Sequence, residues 1–239
     1  FAMLPYIVME RLPSGSLYPL LERLPLPPEE VAAIGAKVAV ALDSLHRQHV
    51  VHLDLKPSNV MFRETGEAVL IDYGLARHIH LPDLMDEQFR LPYGTAPYMA
   101  PEQVLGTRSD FRSDLFALGV MLYFFATGER PYGDPQRLKG LKRRLWRDPL
   151  PPRARNAAIP PALQEVILRC LEVNPAWRYP SAAQLALDLQ DLSAVKLTAR
   201  AEKMTRDPFG VVLRRRFNPV PIETAKPQTA EAQLANAPI

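Results

Sequence analysis

The chain has 239 residues, 47% of them apolar, a net charge of +3 and one cysteine, Cys170. That length and apolar content suffice for one large domain or two small ones with a sizeable core, and the mild charge gives no argument for nucleic acid as a partner. A lone cysteine excludes an internal disulfide and fits a reducing, cytoplasmic setting.

The first ten residues, FAMLPYIVME, lack the basic start, long apolar stretch and small-residue cleavage site of a signal peptide. PYIVME (5–10) reads as a buried strand, a short β-branched apolar run. A chain opening on such a strand reads as entered mid-domain, with an N-terminal part missing. Pro13, Ser14 and Gly15 break the strand, and residues 16–24 form a short helix with Pro19 near its start. Residues 27–49 carry firmer helix signals. Pro27 and Pro28 suit the first turn, and Glu29 and Glu30 complement the positive end of the dipole. Val31, Ile34, Val38, Ala41, Leu42 and Leu45 make one apolar stripe. VVHLDLKPSNVMF (50–62) and AVLIDYG (68–74) bracket a polar turn at 64–67 and read as two short strands. From Leu75 to Tyr98 no periodicity persists, which predicts a long loop of functional importance.

Residues 115–126, LFALGVMLYFFA, are apolar on every face, too long for a strand and too short for a membrane span, so they predict a helix buried all round. Ser113 is its expected N-cap and Gly128 its stop. A basic stretch from Lys139 to Arg155 precedes two amphipathic helices. One carries Leu163, Val166, Ile167, Cys170 and Leu171; the other is capped by Ser181 and carries Leu185, Leu189 and Leu192. Trp146, Trp177 and Cys170 read as packing. Residues 195–217 are basic and read as a solvated extension. Residues 218–239, rich in Pro, Ala, Thr and Gln, read as a linker.

The chemistry gathers in HLDLKPSN (52–59) and DYG (72–74). Asp54 and Asn59 lie five apart on a loop, and a hairpin can return Asp72 beside Asn59. Two carboxylates and an amide oxygen suit Mg²⁺, which takes its remaining ligands from water and phosphate. Lys56 adds a point charge for a transferring phosphoryl group. Taken singly, any of these residues could be a turn former.

Together and in this order they resemble a protein kinase. HLDLKPSN is similar to the catalytic loop, DYG to the metal-binding triplet and GTAPYMAPE (94–102) to the end of the activation segment. The resemblance runs from about residue 4 to 194. It implies an α+β fold, mainly helical with short β hairpins: the C-terminal lobe of a bacterial-type serine/threonine kinase (13–194). Residues 1–12 would be the end of the N-lobe and the hinge, the rest of that lobe being missing. It implies ATP and Mg²⁺, and protein substrates bearing Ser or Thr. Asp54 would accept the acceptor hydroxyl's proton, Lys56 would neutralise the γ-phosphate, and Asn59 and Asp72 would hold the metal. Thr95 would contact Asp54 and Lys56 and line the peptide site. Met9 would be the gatekeeper, Glu10 and Leu12 would pair with adenine through their backbone, and Met61 would floor the pocket. Asp114 would fix the catalytic loop through backbone N–H groups, and Glu102 and Arg178 would form a buried ion pair. His52 would be structural.

Three departures stand out. The glycine-rich loop, the ATP-orienting lysine and its glutamate have no match, which predicts that the chain alone transfers phosphate poorly or not at all. Leu53 replaces the arginine that in the family pairs with a phosphorylated activation loop, and residues 75–94 contain no serine or threonine. The resemblance therefore implies a kinase not switched by loop phosphorylation. Tyr73 stands where Phe is commoner, and Ser58 weakly disfavours a strictly basic substrate motif. The stretch 197–219 is similar to a segment that precedes a universal-stress-type domain in some bacterial kinases, which implies a C-terminal partner domain. A small-molecule phosphotransferase shares the HxDxxxxN loop but lacks the GT…APE stretch. A pseudokinase or binding module is disfavoured for the parent protein by the intact Asp54, Lys56, Asn59 and Asp72, and favoured for the chain alone by the missing lobe.

Overall fold

In the computed structural model, which describes residues 8–13, 15–83, 92, 94–107 and 110–222, the first regular element is a 3-10 helix, Tyr18–Arg23. The helix expected there is realised as a 3-10 turn, with Pro19 in its first turn, where the missing N–H costs no internal bond. Residues 5–7 of the strand expected over 5–10 lie outside the described residues, and 8–10 carry no regular secondary structure. Helix α1 (Pro28–His46) has its proline and glutamates in the first turn as anticipated. It stops short of residue 49, where His49 turns left-handed at φ 61° and directs the chain into the first strand.

Among the described residues four short strands follow: β1 (Val50–Val51), β2 (Val60–Phe62), β3 (Ala68–Leu70) and β4 (Arg77–His78). They form two antiparallel pairs, β1 with β4 and β2 with β3. In the second pair Val60 faces Leu70, Met61 faces Val69 and Phe62 faces Ala68. The chain at 15–17 lies along the free edge of β2, with Leu17 N–H donating to Val60 O at 3.0 Å and Ser16 bridging Met61. β4 sits inside the stretch expected as loop, because two residues are too few to carry a period.

The remaining helices are α2 (Pro101–Val104), α3 (Arg112–Thr127), α4 (Leu138–Leu141), α5 (Pro161–Cys170), α6 (Ala182–Gln190), α7 (Ala199–Glu202) and α8 (Phe209–Phe217). α3 is the axis of the core, buried along nearly its whole circumference, with α1 and α5 packed against it. Each large side chain enclosed there stabilises the fold by about 1.5–3 kcal/mol. Ser113 is not its N-cap. The N-cap position is Phe111, with no side-chain cap; the Asp110 carboxylate accepts the Arg112 N–H at 2.9 Å, and the Ser113 hydroxyl, inside the first turn, donates to Glu102 at 2.7 Å. Gly128 ends the helix in the left-handed conformation, φ 73°, and Ser181 caps α6 by accepting the Gln184 N–H at 3.1 Å.

The basic extension is folded onto the helical body in part. Gln164 donates to the carbonyls of Arg200, Ala201 and Lys203, and Arg200 pairs with Glu165 and Glu172. Lys203 and Arg215 each reach both Asp148 and Asp207. Carboxylates of the body and of the extension itself thus neutralise Arg200, Lys203 and Arg215, three of the cations expected to be merely solvated. Trp177 is 52% exposed rather than packed. No helix among the described residues is long and apolar enough to cross a membrane.

Candidate functional site

The loop from His52 to Asn59 leaves β1 and enters β2, and a buried carboxylate from the core holds its start. Asp114, in the first turn of α3 and fully buried, accepts the Leu53 N–H on one oxygen at 2.8 Å. Its other oxygen takes the His52 N–H at 2.9 Å and lies 2.9 Å from His46 Nε2. Leu53 itself is left-handed at φ 64°, a conformation that costs a non-glycine residue about 1–2 kcal/mol. Gln103 helps hold it there, its Nε2 donating to Leu53 O at 2.9 Å. Gly94 passes close by: a Cβ at that position would stand 3.2 Å from Leu53 O. The Leu53 side chain is buried.

His52 is buried, as expected of a structural residue. Its Nε2 lies 3.0 Å from Ile71 O and its Nδ1 accepts the Asp54 N–H at 3.3 Å. Both contacts fit one neutral tautomer, protonated at Nε2. This ring therefore ties the loop to the residue preceding Asp72.

Asp54, Lys56 and Thr95 close a triangle. Asp54 Oδ1 accepts the Thr95 N–H at 2.7 Å and the Thr95 hydroxyl at 2.8 Å. Asp54 Oδ2 accepts from Lys56 Nζ at 2.6 Å, and Lys56 Nζ reaches Thr95 Oγ1 at 3.0 Å. Asn59 is buried and donates its Nδ2 to Asp54 O at 3.0 Å, which fixes the flip of the amide. Its Oδ1 meets the Ser58 hydroxyl at 3.3 Å and has a second lone pair to offer.

Asp72 follows β3. The Ile71 N–H donates to Asn59 O at 3.0 Å, so Asp72 lies one residue beyond a direct backbone bond to Asn59. It is left-handed at φ 64°, exposed, and without a hydrogen-bond partner among the described residues. An oriented amide oxygen and an uncommitted carboxylate on adjoining backbone are the hard donors Mg²⁺ uses when phosphate and water complete its shell. Among the described residues no three His, Cys, Asp or Glu side chains are arranged to hold a metal by themselves. The donor set therefore fits Mg²⁺ shared with a phosphate. Tyr73, 49% exposed, donates its hydroxyl to Leu70 O at 3.1 Å.

Met61 is half-buried on β2, two residues from Asn59. Met9 is 73% exposed. Glu10 pairs with Arg63 at 2.8 Å, which holds that stretch against the hairpin bearing Met61, and Leu12 is half-buried. A groove of about 1030 Å³ between α1, the β2–β3 hairpin and the end of α6 is lined by Tyr73 but by none of Asp54, Lys56, Asn59, Asp72 and Thr95.

Glu102 and Arg178 make a bidentate pair, 2.8 Å on each arm, both side chains fully buried. Burial pushes the Glu102 carboxyl up, but the Arg178 guanidinium and the Ser113 hydroxyl overcome this and hold it below the usual carboxylate range. Sequence reasoning missed Gln103 and Arg144. Gln103 also accepts the Ala100 N–H at 2.9 Å, and nothing in the sequence distinguishes it. Arg144 is fully buried in the 3-10 turn Lys142–Leu145. Its signal is position: it follows Leu141 by three, on the apolar face of a helical turn.

Similarity to known proteins agrees with this geometry. Residues 4–188 match the family model described as a protein kinase domain. The chain is 36% identical over 187 residues to the serine/threonine-protein kinase PknB of Mycobacterium leprae, covering 78% of this chain and 30% of that protein. It is 35% identical over 229 residues to a probable serine/threonine-protein kinase of Corynebacterium efficiens, covering 92% of this chain and 35% of that one. A probable serine/threonine-protein kinase of Clostridium perfringens is 32% identical over 188 residues, 78% of this chain and 27% of that one. The chain thus spans about a third of the length of the curated relatives it matches. With the ordered motifs, the Asp54–Lys56–Thr95 triangle and the match over most of its length, the chain belongs to the protein kinase family.

Proposed function

We propose that the protein transfers the γ-phosphoryl group of ATP to serine or threonine hydroxyls of other proteins, in the cytoplasm. The observation that carries this is the double contact of Thr95 with one oxygen of Asp54 while Lys56 holds the other. The carboxylate is thereby aimed to where an acceptor hydroxyl would approach. Asp54 takes the hydroxyl proton as the oxygen attacks the γ-phosphorus and the bond to the ADP oxygen breaks. Lys56 offsets the charge on the transferring group. Thr95 positions both and lines the acceptor side. Asn59 and Asp72 hold Mg²⁺, which when bound neutralises charge on the phosphates. Met9, Met61 and the backbone of Glu10 and Leu12 receive the adenine.

The names of the bacterial relatives support serine and threonine as acceptors. The burial of Leu53 and the absence of serine and threonine from 75–94 support a kinase that needs no phosphate on that segment. In the full-length protein, Asp54→Asn should lower kcat by about 10²–10⁴-fold with ATP affinity retained, and Asp72→Ala should abolish autophosphorylation. Unchanged autophosphorylation in Asp72→Ala would refute the metal role.

A further inference from the structure

Among the described residues Arg144 is the largest fully buried side chain, and none of them pairs a carboxylate with it. Its guanidinium is spent on backbone carbonyls. Nε donates to Leu141 O at 3.2 Å, within its own turn. Nη2 donates to Ala96 O at 2.9 Å, and Nη1 reaches Met99 O and, at 3.5 Å, Pro97 O. The Tyr132 ring centroid lies 5.3 Å from Cζ. Burial lowers the pKa to about 10, so the group stays charged at neutral pH. A desolvated cation is costly unless its hydrogen bonds are made. Here carbonyl dipoles and a π face supply them, and three of the four carbonyls belong to one short segment.

That segment begins where the Asp54 site ends. Thr95 gives its N–H and hydroxyl to Asp54, the Tyr98 N–H turns back to Thr95 O at 2.9 Å, and Ala96, Pro97 and Met99 are the residues whose carbonyls Arg144 gathers. One end of a five-residue stretch is fixed by the candidate base and the other by a buried cation from the turn after α4. We infer that Arg144 is a positioning residue for phosphotransfer: it fixes 96–99 as the wall against which the acceptor protein chain lies beside Asp54. This rests on the kinase reading above. A planar fork suits the task, since it serves several carbonyls at once where a lysine Nζ is a single point.

The experiment compares wild type with Arg144→Lys and Arg144→Met in the full-length protein, well below their melting temperatures. It reads the KM for an acceptor peptide, the KM for ATP and amide hydrogen exchange over 95–99. Arg144→Met should raise the peptide KM on the order of tenfold, with the ATP KM unchanged within about twofold, and should speed exchange at Thr95 and Tyr98 relative to α3. Arg144→Lys should recover part of both effects. Equal losses in both KM values, or no selective gain in exchange at 95–99, would overturn the inference by making Arg144 a general stabiliser. If wild type phosphorylates no peptide, the kinase reading fails, and with it the role in phosphotransfer; the exchange data then report whether Arg144 clamps 96–99 at all.

Discussion

One oxygen of Asp114 accepts the Leu53 N–H at 2.8 Å, so a core helix dictates the backbone of the residue immediately before Asp54. The same carboxylate takes the His52 N–H and faces His46, and no water reaches it. Left-handed Leu53 is thereby compensated by hydrogen bonds from beneath the loop, and the strain stands next to the chemistry it serves.

Asp114→Asn should therefore be worse than its small change of shape suggests. An amide placed there turns at least one N–H toward another N–H, leaving buried donors unsatisfied at about 1–3 kcal/mol. We expect a lower Tm and a loss of kcat of about 100-fold or more, with circular dichroism showing retained helix. Full activity in Asp114→Asn would mean that the loop holds its own geometry.

The Glu102–Arg178 pair predicts both a mutational and a pH effect. Arg178→Met leaves a buried carboxylate uncompensated and should cost about 3–5 kcal/mol by denaturant unfolding. The folded-state pKa of Glu102 lies below its ordinary 4.5, so its stabilising contribution is complete above that value and is lost as pH falls through the folded value. Wild type should lose stability below about pH 4.5 more steeply than Glu102→Gln. Parallel pH profiles for the two proteins would remove Glu102 from the account of acid unfolding.

Gly119→Ala tests the approach of α3 to α5. A Cβ at Gly119 would lie 2.5 Å from Cys170 Cβ, so the helices must part. Overpacking of this kind costs about 1–3 kcal/mol, read as a drop in Tm. Cys170 is fully buried, and burial pushes its thiol pKa up to about 12. It should therefore react with a thiol reagent only on unfolding, and Gly119→Ala should accelerate that labelling. Rapid labelling of native wild type would contradict the packing.

Phosphatase treatment should leave specific activity unchanged if 75–94 carries no phosphorylation switch. The measurement pairs activity with mass spectrometry of that segment before and after treatment. A phosphate on 75–94 whose removal lowers activity severalfold would count against the role inferred from Leu53.

Much of the site was legible because its signals are local. Asp54, Lys56 and Asn59 share one loop, Asp72 ends the neighbouring strand, and the all-round apolar run of α3 announced a buried helix. Ser181 and Gly128 did what their residue types suit them for at helix ends. Ser113 did not, because the N-cap position falls two residues before it, at Phe111, and Glu102 offered the hydroxyl a buried partner. The two-residue β4 was invisible, since so short a strand owes its existence to the partner β1 rather than to its own pattern. Gln103 and the ion pairs of Lys203 and Arg215 were likewise silent, and Arg144 gave only its position three residues after Leu141. A basic or amide side chain looks the same in sequence whether it meets water or a carbonyl from 45 residues away.

By itself the sequence determined the order of motifs, the helices that present whole apolar faces, and the identity of the groups able to move a proton or share a divalent ion with phosphate. Only the tertiary structure decided which carboxylate is gripped by Lys56 and Thr95, which is buried against Arg178, and which, Asp114, is spent on the backbone of Leu53. The physical reason is desolvation. A charged group's role is set by what replaces its water, and those replacements come from residues far away in the chain.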